Sequence, residues 1–164
     1  MMKTWTMEQT DNGRKGLKNH LEVKMQAFSY NEKLARTIVA AFMVDMDPTV
    51  EEIADVKTAV SEAVTNAIIH GYGLTEDQEA APVFGLCCER EENMLTIVIE
   101  DEGCGIEDVA LAMEPLYTTR PDLERSGMGF AFMEAFMSEV SVVSAPGKGT
   151  KVTMKKKIMG ALED

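Results

Sequence analysis

The chain has 164 residues, of which 45% are hydrophobic, and it carries a formal net charge of −12. This length favours one domain with one core, and the acidity argues against nucleic-acid binding through a basic patch and against attachment to anionic lipids. Two explanations of the acidity stay open, namely solubility and an acidic face for a basic protein partner. The sequence shows neither an apolar run of about 20 residues nor a signal peptide.

The first part of the chain predicts a tail, a strand and a helix. Residues 1–18 are polar and aperiodic, as expected of a flexible N-terminal tail. From His20 onward, apolar residues alternate with polar ones, which predicts a half-buried strand. Asn31 is expected to cap a helix over 31–46. The apolar residues assigned to its inner face are Leu34, Ile38, Ala41 and Phe42.

A second, longer helix is predicted to begin at Asp47-Pro48, with Asp47 as the cap and Pro48 in the first helical position. Gly71 and Gly73 are expected to end this helix just after His70. Its apolar stripe comprises Ile53, Val56, Val60, Ala63, Val64 and Ala67.

The second half of the chain predicts two hairpins separated by a long connection and a helix. Strands are expected over 83–89 and 94–100, the second of them central in the sheet, and again over 140–144 and 150–156. The connection 107–126 is unusually long, which predicts a functional lid, and a helix follows over 129–137. The predicted fold is a two-layer α/β sandwich, in which helices cover one face of a mixed, largely antiparallel sheet. One domain over 19–158 is expected, with a short C-terminal tail over 159–164.

The three cysteines predict a reducing environment. Cys87, Cys88 and Cys104 are odd in number, and two of them are adjacent, which argues against a disulfide framework. They also lack zinc-ligand spacing with His20 or His70. We therefore expect a cytoplasmic location.

The second helix carries a row of polar residues. Glu62 and Asn66 are four residues apart and share one helical face, and His70 continues the line. Such a row occurs on solvated helix faces and also along one side of a binding site. Mg²⁺ takes one or two protein oxygens together with phosphate oxygens, a role that suits the side-chain oxygen of Asn66. Glu62 is then positioned as a general base for a hydroxyl or a water.

Two glycine-containing segments follow. Asp101 ends an apolar strand and precedes Gly103 and Gly105. A carboxylate at such a strand end can accept a hydrogen bond from an adenine amino group, a charged bond that contributes about 1.5–3 kcal/mol. The same pattern also occurs in ordinary strand-to-loop turns. The glycines would allow the backbone to approach a base closely.

The second glycine segment, residues 127–129, opens a helix, where free N–H groups bind phosphate. It is neither a Rossmann fingerprint nor a Walker A loop. Arg120 and Arg125 precede it, as donors to a terminal phosphate or as solvated loop charges.

Together these segments resemble the Bergerat ATP-binding fold, which gyrase, heat-shock-90 proteins, mismatch-repair ATPases and histidine kinases share. Residues 62–66 match the first box of that family, residues 101–106 the adenine-binding box, and residues 127–129 the glycines between lid and helix. Thr150 matches the threonine that supports adenine binding.

Two longer runs, residues 61–72 and 114–130, are similar to the sporulation anti-sigma F factors, and the resemblance extends over about 20–156. It implies a dimeric, Mg²⁺-dependent ATP-binding protein serine kinase. Such a kinase phosphorylates an anti-anti-sigma protein and holds sigma F inactive.

The resemblance also implies residue roles. Glu62 becomes the catalytic base, Arg125 the γ-phosphate contact, and Asn66 the Mg²⁺ ligand. Asp101 reads adenine, and Arg36 meets protein partners. The remaining nucleotide-binding residues are Gly103, Gly105, Ile106, Gly127, Met128, Gly129, Phe130 and Thr150.

Three alternatives stay open at this stage. One is a kinase of the same fold in another pathway, of the anti-sigma B or stressosome type. The second is a binding module that uses ATP as a structural ligand. The third is a histidine-kinase output domain, which fits poorly because His20 lies in a strand pattern rather than in a helical hairpin.

Overall fold

The computed structural model of the chain describes residues 18–73, 79–117 and 127–160. Its strands are β1 (Lys18–Gln26), β2 (Val83–Glu91), β3 (Met94–Asp101), β4 (Glu139–Ser144) and β5 (Thr150–Lys157). Its α-helices are α1 (Asn31–Phe42), α2 (Val50–Asn66), α3 (Val109–Ala112) and α4 (Gly129–Phe136). A 3₁₀ turn (Val44–Met46) follows α1, and a π-helical turn (Ala67–Gly71) continues α2. Most of the predicted N-terminal and C-terminal tails, and residues 118–126 of the predicted lid, lie outside the described residues.

The sheet confirms the predicted fold class and refines it. Its strand order is β1-β2-β3-β5-β4, and each neighbouring pair is antiparallel, so the described sheet is antiparallel throughout rather than mixed. β3 is central, as predicted. Leu95, Ile97 and Ile99 on one of its faces are buried, whereas Thr96 and Val98 on the other are only half-buried.

The helices cover one face of the sheet. Leu86 of β2, Ile97 of β3 and Met154 of β5 belong to the same buried apolar cluster as Val39 of α1 and Val60 of α2. Alternate strand residues face this cluster, which explains why burial along each strand follows the period of two expected for a one-sided sheet. None of the described helices is both long and apolar enough to span a bilayer.

The predicted inner face of α1 is correct at Ile38 and Phe42, which are half-buried and pack against the core. It is wrong at Leu34, which is 48% exposed, and the fully buried residues of this helix are Ala35 and Val39. A small side chain lets α1 approach α2 closely, and the apolar periodicity alone does not distinguish this face from its neighbour. The helix also ends at Phe42, and the side chain of Asn31 donates to the Gln26 carbonyl instead of capping the helix.

The predicted start of α2 is also wrong by two residues. Asp47 has a left-handed backbone (φ 57°) and caps the preceding 3₁₀ turn. Thr49 is the N-cap of α2 and forms a capping box with Glu52, in which each side chain satisfies a backbone N–H of the other residue. The predicted apolar stripe is correct at Val56 and Val60, which are fully buried.

One end of the sheet positions the functional residues. Across it, Phe84 is paired with Asp101, Asp101 with Thr150, and Thr150 with Ser144. The polar residues of this row therefore end three neighbouring strands at one edge. The π-helical turn after α2 packs against β3 there, which brings the row of Glu62 and Asn66 to the same end of the fold.

Candidate functional site

A cavity of about 810 Å³ lies at this end of the sheet. Its size is within the range of about 300–1,000 Å³ that is usual for small-molecule sites. It is bounded by the end of α2 with its π-helical turn, the end of β3, the loop that follows β3, α3, the start of α4 and the start of β5. The residues that line it are Ala63, Asn66, Ala67, His70, Gly71, Ile99, Asp101, Cys104, Gly105, Ile106, Glu107, Asp108, Val109, Leu111, Ala112, Tyr117, Gly127, Gly129, Phe130, Thr150 and Val152.

Most residues predicted for the site lie in this lining. They are Asn66, Asp101, Gly105, Ile106, Gly127, Gly129, Phe130 and Thr150. Gly103 and Met128 are sequence neighbours of lining residues. Arg36 is on α1. Arg120 and Arg125 lie outside the described residues, so the structure is silent on the predicted phosphate contact.

Asp101 is the buried charge of the cavity. Its side chain is only 6% exposed, and its Oδ1 accepts a hydrogen bond of 2.9 Å from the Gly103 N–H. Burial raises the pKa of this carboxyl above its usual value, and backbone N–H groups of Gly103 and Thr150 oppose that rise. A buried carboxylate that faces a cavity favours a ligand with a hydrogen-bond donor at that position.

The glycines after Asp101 are required by contacts within the chain. A Cβ on Gly103 would lie 2.0 Å from the Gly71 carbonyl oxygen, and a Cβ on Gly105 would lie 2.0 Å from the Ala145 carbonyl oxygen. The prediction assigned both glycines to close approach of a base. The structure shows that they let neighbouring backbone segments meet, because any side chain would collide with a carbonyl.

Two hydroxyl residues with no role in the sequence prediction hold the site together. Tyr72 donates to the Val83 carbonyl (2.5 Å) and accepts from the Glu102 N–H (2.8 Å), which ties the π-helical turn to both β2 and the loop after β3. Burial and the nearby acids raise the pKa of Tyr72, so its hydroxyl stays protonated and can donate. The only indication of this role in the sequence was that Tyr72 is the last residue of the matched run 61–72.

Ser144 is the second such residue. Its hydroxyl donates to the Gly149 carbonyl (2.8 Å), accepts from the Ile106 N–H (2.8 Å), and lies 2.9 Å from Thr150 Oγ1. The hairpin pairing of Ser144 with Thr150 was predictable, but the bond to Ile106 joins segments that only the fold brings together.

Glu62 and Asn66 meet the first residue of α4. A Cβ on Gly129 would lie 3.1 Å from Glu62 Oε2 and 3.4 Å from Asn66 Nδ2. Asn66 lines the cavity, and Glu62 lies one helical turn away on the same face. The glycine therefore allows the helix start to approach a carboxylate and a carboxamide closely.

Leu116, which lies within the predicted lid, contacts Gly127, the residue that follows the lid. The Leu116 N–H donates to the Gly127 carbonyl at 2.9 Å, and a Cβ on Gly127 would lie 2.8 Å from the Leu116 carbonyl carbon. Before this junction, Asp108 caps α3 by accepting from the Leu111 N–H.

The residues present fit a nucleotide with a metal ion. Among the described residues of the lining there is no lysine or arginine, while Asp101, Glu107 and Asp108 are acidic. A polyphosphate in this cavity would need N–H groups of the α4 start and a cation to balance its charge. The oxygen of Asn66 beside the glycine-bounded helix start is suited to such a cation.

The chain is similar to proteins of known family. A model of the histidine kinase-like ATPase domain matches residues 29–156. The anti-sigma F factor of Clostridium acetobutylicum is 57% identical over 141 residues, which cover 86% of this chain and 95% of that protein. The anti-sigma F factor of Clostridium novyi is 56% identical over 140 residues, covering 85% and 95% respectively.

A solved structure is also similar. The RsbU and RsbW domains of Rv1364c from Mycobacterium tuberculosis match with a TM-score of 0.60 at 19% identity, over 85% of this chain and 32% of that chain. At this level of identity the likeness shows a shared fold only. It agrees with the antiparallel sheet and one-sided helices described above.

Replacing Asp101 with asparagine should separate nucleotide affinity from stability. We expect Asp101→Asn to weaken ATP binding about tenfold or more, because a charged hydrogen bond contributes at least about 1.4 kcal/mol. Without nucleotide the thermal midpoint should not fall. The raised pKa means that the stability linked to this group is present below the ordinary carboxyl pKa of 3.8 and is lost as pH rises through the raised value.

Titration calorimetry and thermal unfolding at neutral pH test this pair of expectations. Glu100→Gln is the matched control, since Glu100 is the preceding residue and is exposed. Unchanged ATP affinity in a folded Asp101→Asn protein would remove adenine recognition from this residue.

Nucleotide should shield Cys104 from alkylation. Cys104 is exposed and lines the cavity, Cys87 is half-buried, and Cys88 is buried with its pKa raised to about 12. Without nucleotide we expect Cys104 to react fastest, because thiolate and access both control the rate. Saturating Mg-ATP should slow Cys104 more than Cys87, as followed by mass spectrometry. Equal slowing of both thiols would contradict the location of the nucleotide.

Proposed function

Because the chain belongs to the anti-sigma F factors, which carry a histidine kinase-like ATPase domain, we propose that it binds ATP with Mg²⁺, phosphorylates a serine of an anti-anti-sigma protein and sequesters sigma F. The observation that carries this proposal is the meeting of Glu62, Asn66 and the start of α4 at one cavity. The match covers 95% of the length of both relatives, so the activity and partners proposed here are those of an entire anti-sigma F factor rather than of one part of it.

In this proposal Asp101 and Thr150 recognise the adenine ring of the nucleotide. The carboxylate of Asp101 accepts the adenine amino group, while Ser144 orients the Thr150 hydroxyl through their 2.9 Å contact. Tyr72 holds the loop after β3 so that Asp101 stays directed into the cavity. The roles of Gly103 and Gly105 are to allow the chain contacts that build this loop.

Asn66 and the α4 start hold the phosphates. Gly127, Met128, Gly129 and Phe130 supply backbone N–H groups at the helix start, where the helix dipole favours anions. The side-chain oxygen of Asn66 binds Mg²⁺, which when present neutralises charge on the phosphates during transfer. Arg125 is proposed as the γ-phosphate contact on the basis of the resemblance.

Glu62 is the proposed base. Its Oε2 lies next to the α4 start, within one helical turn of Asn66, and so close to the expected position of the terminal phosphate. The carboxylate accepts the proton of the partner's serine hydroxyl, or orients that hydroxyl for in-line attack.

Arg36 is the proposed contact for protein partners. Its Nε lies 3.6 Å from Glu32 Oε1, and Ser61 donates to that same carboxylate. Arg36 is thus linked through Glu32 to Ser61 of α2, the helix that carries the proposed base. A half-exposed arginine of this kind suits an interface, because its planar donors form bidentate bonds with carboxylates.

A homodimer completes the proposal. β1 forms one edge of the described sheet, and an edge strand presents backbone groups that a second copy can pair with. A binding module that uses ATP without transferring phosphate is the second candidate. Such a module would need Asn66 and Asp101 to bind the nucleotide, but it would not need Glu62 as a general base.

Replacing Glu62 with glutamine tests catalysis directly. Glu62→Gln keeps size and helix propensity but cannot take up a proton, so phosphoryl transfer to the anti-anti-sigma partner should fall about 10²- to 10⁴-fold. ATP affinity should change little, because Asn66 and Asp101 remain. Labelled ATP with phosphosite mapping measures the transfer.

Glu51→Gln is the matched control, since Glu51 is exposed in the first turn of the same helix. A Glu62→Gln protein that phosphorylates its partner at near wild-type rate would refute Glu62 as the base. If the wild-type chain transfers no phosphate to its partner, the binding module is the correct account.

Arg36→Ala should weaken partner capture while leaving ATP binding intact. Interface arginines often account for more than about 2 kcal/mol, so the affinity for sigma F or the anti-anti-sigma protein should fall at least about tenfold. Lys33→Ala is the control, because Lys33 is exposed on the same helix and its loss should have little effect. Normal capture of both partners by Arg36→Ala would make Arg36 an ordinary surface charge.

A further inference from the structure

The open face of the sheet carries a group of three metal-ligating side chains. His20 of β1 and Glu89 of β2 are directly paired, and Cys87 lies two residues before Glu89 on the same face. His20 Nδ1 lies 3.4 Å from Glu89 Oε1 and 3.9 Å from Cys87 Sγ, and the ligand atoms of all three residues lie within 4.8 Å of one another. None of them lines the nucleotide cavity or has a role in the proposed function.

The two separations from His20 Nδ1 are close to those of a tetrahedral zinc site, and the third pair lies within 4.8 Å. With Zn–S of about 2.3 Å, Zn–N of about 2.05 Å and Zn–O of about 2.1 Å, tetrahedral angles give ligand separations of about 3.6 Å for N–S and about 3.4 Å for N–O. The observed N–O separation of 3.4 Å already has that value. The observed N–S separation of 3.9 Å requires a shift of the sulfur by only a few tenths of an ångström.

The backbone holds the three ligands in position. The ladder between β1 and β2 runs without interruption from Lys18 and Glu91 to Gln26 and Val83, so the His20–Glu89 pairing cannot slip without moving every residue to the other face. Cys87 is half-buried, whereas the side chains of His20 and Glu89 are 55% and 60% exposed. A fourth coordination position therefore remains open to water.

The charges around the cysteine favour a cation. Glu22 is paired with Cys87 across the strands, and Glu89 lies two residues along β2 on the same face, while Lys151 is a weaker influence of opposite sign. A divalent ion replaces the thiol proton, which passes to solvent, and its charge balances one thiolate and one carboxylate.

We propose that His20, Cys87 and Glu89 form a binding site for a thiophilic divalent cation, with Zn²⁺ as the best-suited ion. Thiolate and imidazole ligands select zinc, cobalt or copper over the hard ion Mg²⁺, so this site is chemically distinct from the one at Asn66. A bound ion links the edge strand β1 to β2 and stabilises the folded chain, because it binds the native state only.

Cobalt and zinc titrations of the untagged, nucleotide-free full chain test this proposal. We expect one Co²⁺ per chain, with a sulfur-to-cobalt charge-transfer band in the near ultraviolet, and one Zn²⁺ per chain by calorimetry, together with a rise in the thermal midpoint. Cys87→Ser should abolish the charge-transfer band, and Cys87→Ser and His20→Gln should each weaken Zn²⁺ binding at least about tenfold. ATP affinity should stay unchanged in both variants.

The other histidine and the exposed cysteine provide controls. His70→Gln and Cys104→Ser should leave the cobalt spectrum and the zinc affinity unchanged, since Cys104 Sγ instead donates to the His70 carbonyl. The proposal is overturned if the wild-type chain binds neither metal, or if Cys87→Ser binds zinc as tightly as the wild type. It is equally overturned if Cys104→Ser, rather than Cys87→Ser, removes the cobalt band.

Discussion

The site depends on one close contact between backbone segments. A Cβ on Gly103 would lie only 2.0 Å from the Gly71 carbonyl oxygen. The same oxygen accepts a 2.8 Å hydrogen bond from the Cys104 N–H. This contact joins the π-helical turn after α2 to the loop after β3, so that Asn66 and Asp101 face one cavity. A side chain on Gly103 would push the two segments apart and would move Asn66 away from Asp101.

The same contact keeps the Asp101 carboxylate buried, and this burial lowers the stability of the folded chain. Burial raises the pKa of Asp101, and without nucleotide only backbone N–H groups such as that of Gly103 offset the loss of water. Residues at functional sites are often retained although they reduce stability, because they make the ligand contact that matters. Tyr72 and Ser144 serve this arrangement by fixing the loop on both of its sides.

Much of the architecture was predictable from local pattern, and the remainder required the three-dimensional register. Alternating residues predicted the hairpins and the central β3, and the matched segments contain Asn66, Asp101 and Gly129, which line the cavity. The α3 side of the lining was not among the predicted site residues. The face of α1 was predicted correctly at Ile38 and Phe42 but wrongly at Leu34, because the smaller Ala35 packs against the core instead. The cluster of His20 with Cys87 was not predictable from spacing, since 67 residues separate two side chains that strand pairing brings together.

The most direct test of this account is a comparison of Mg-ATP with Mg-GTP by titration calorimetry on the wild-type chain. In the proposed binding mode the 6-amino group of adenine donates to Asp101, whereas guanine would present an oxygen acceptor to the same buried carboxylate. A lost charged hydrogen bond costs about 1.5–3 kcal/mol, so we expect one ATP per chain, bound at least about tenfold more tightly than GTP. Equal affinity for the two nucleotides, or no binding of ATP, would contradict the central claim that this cavity is an adenine nucleotide site organised around Asp101.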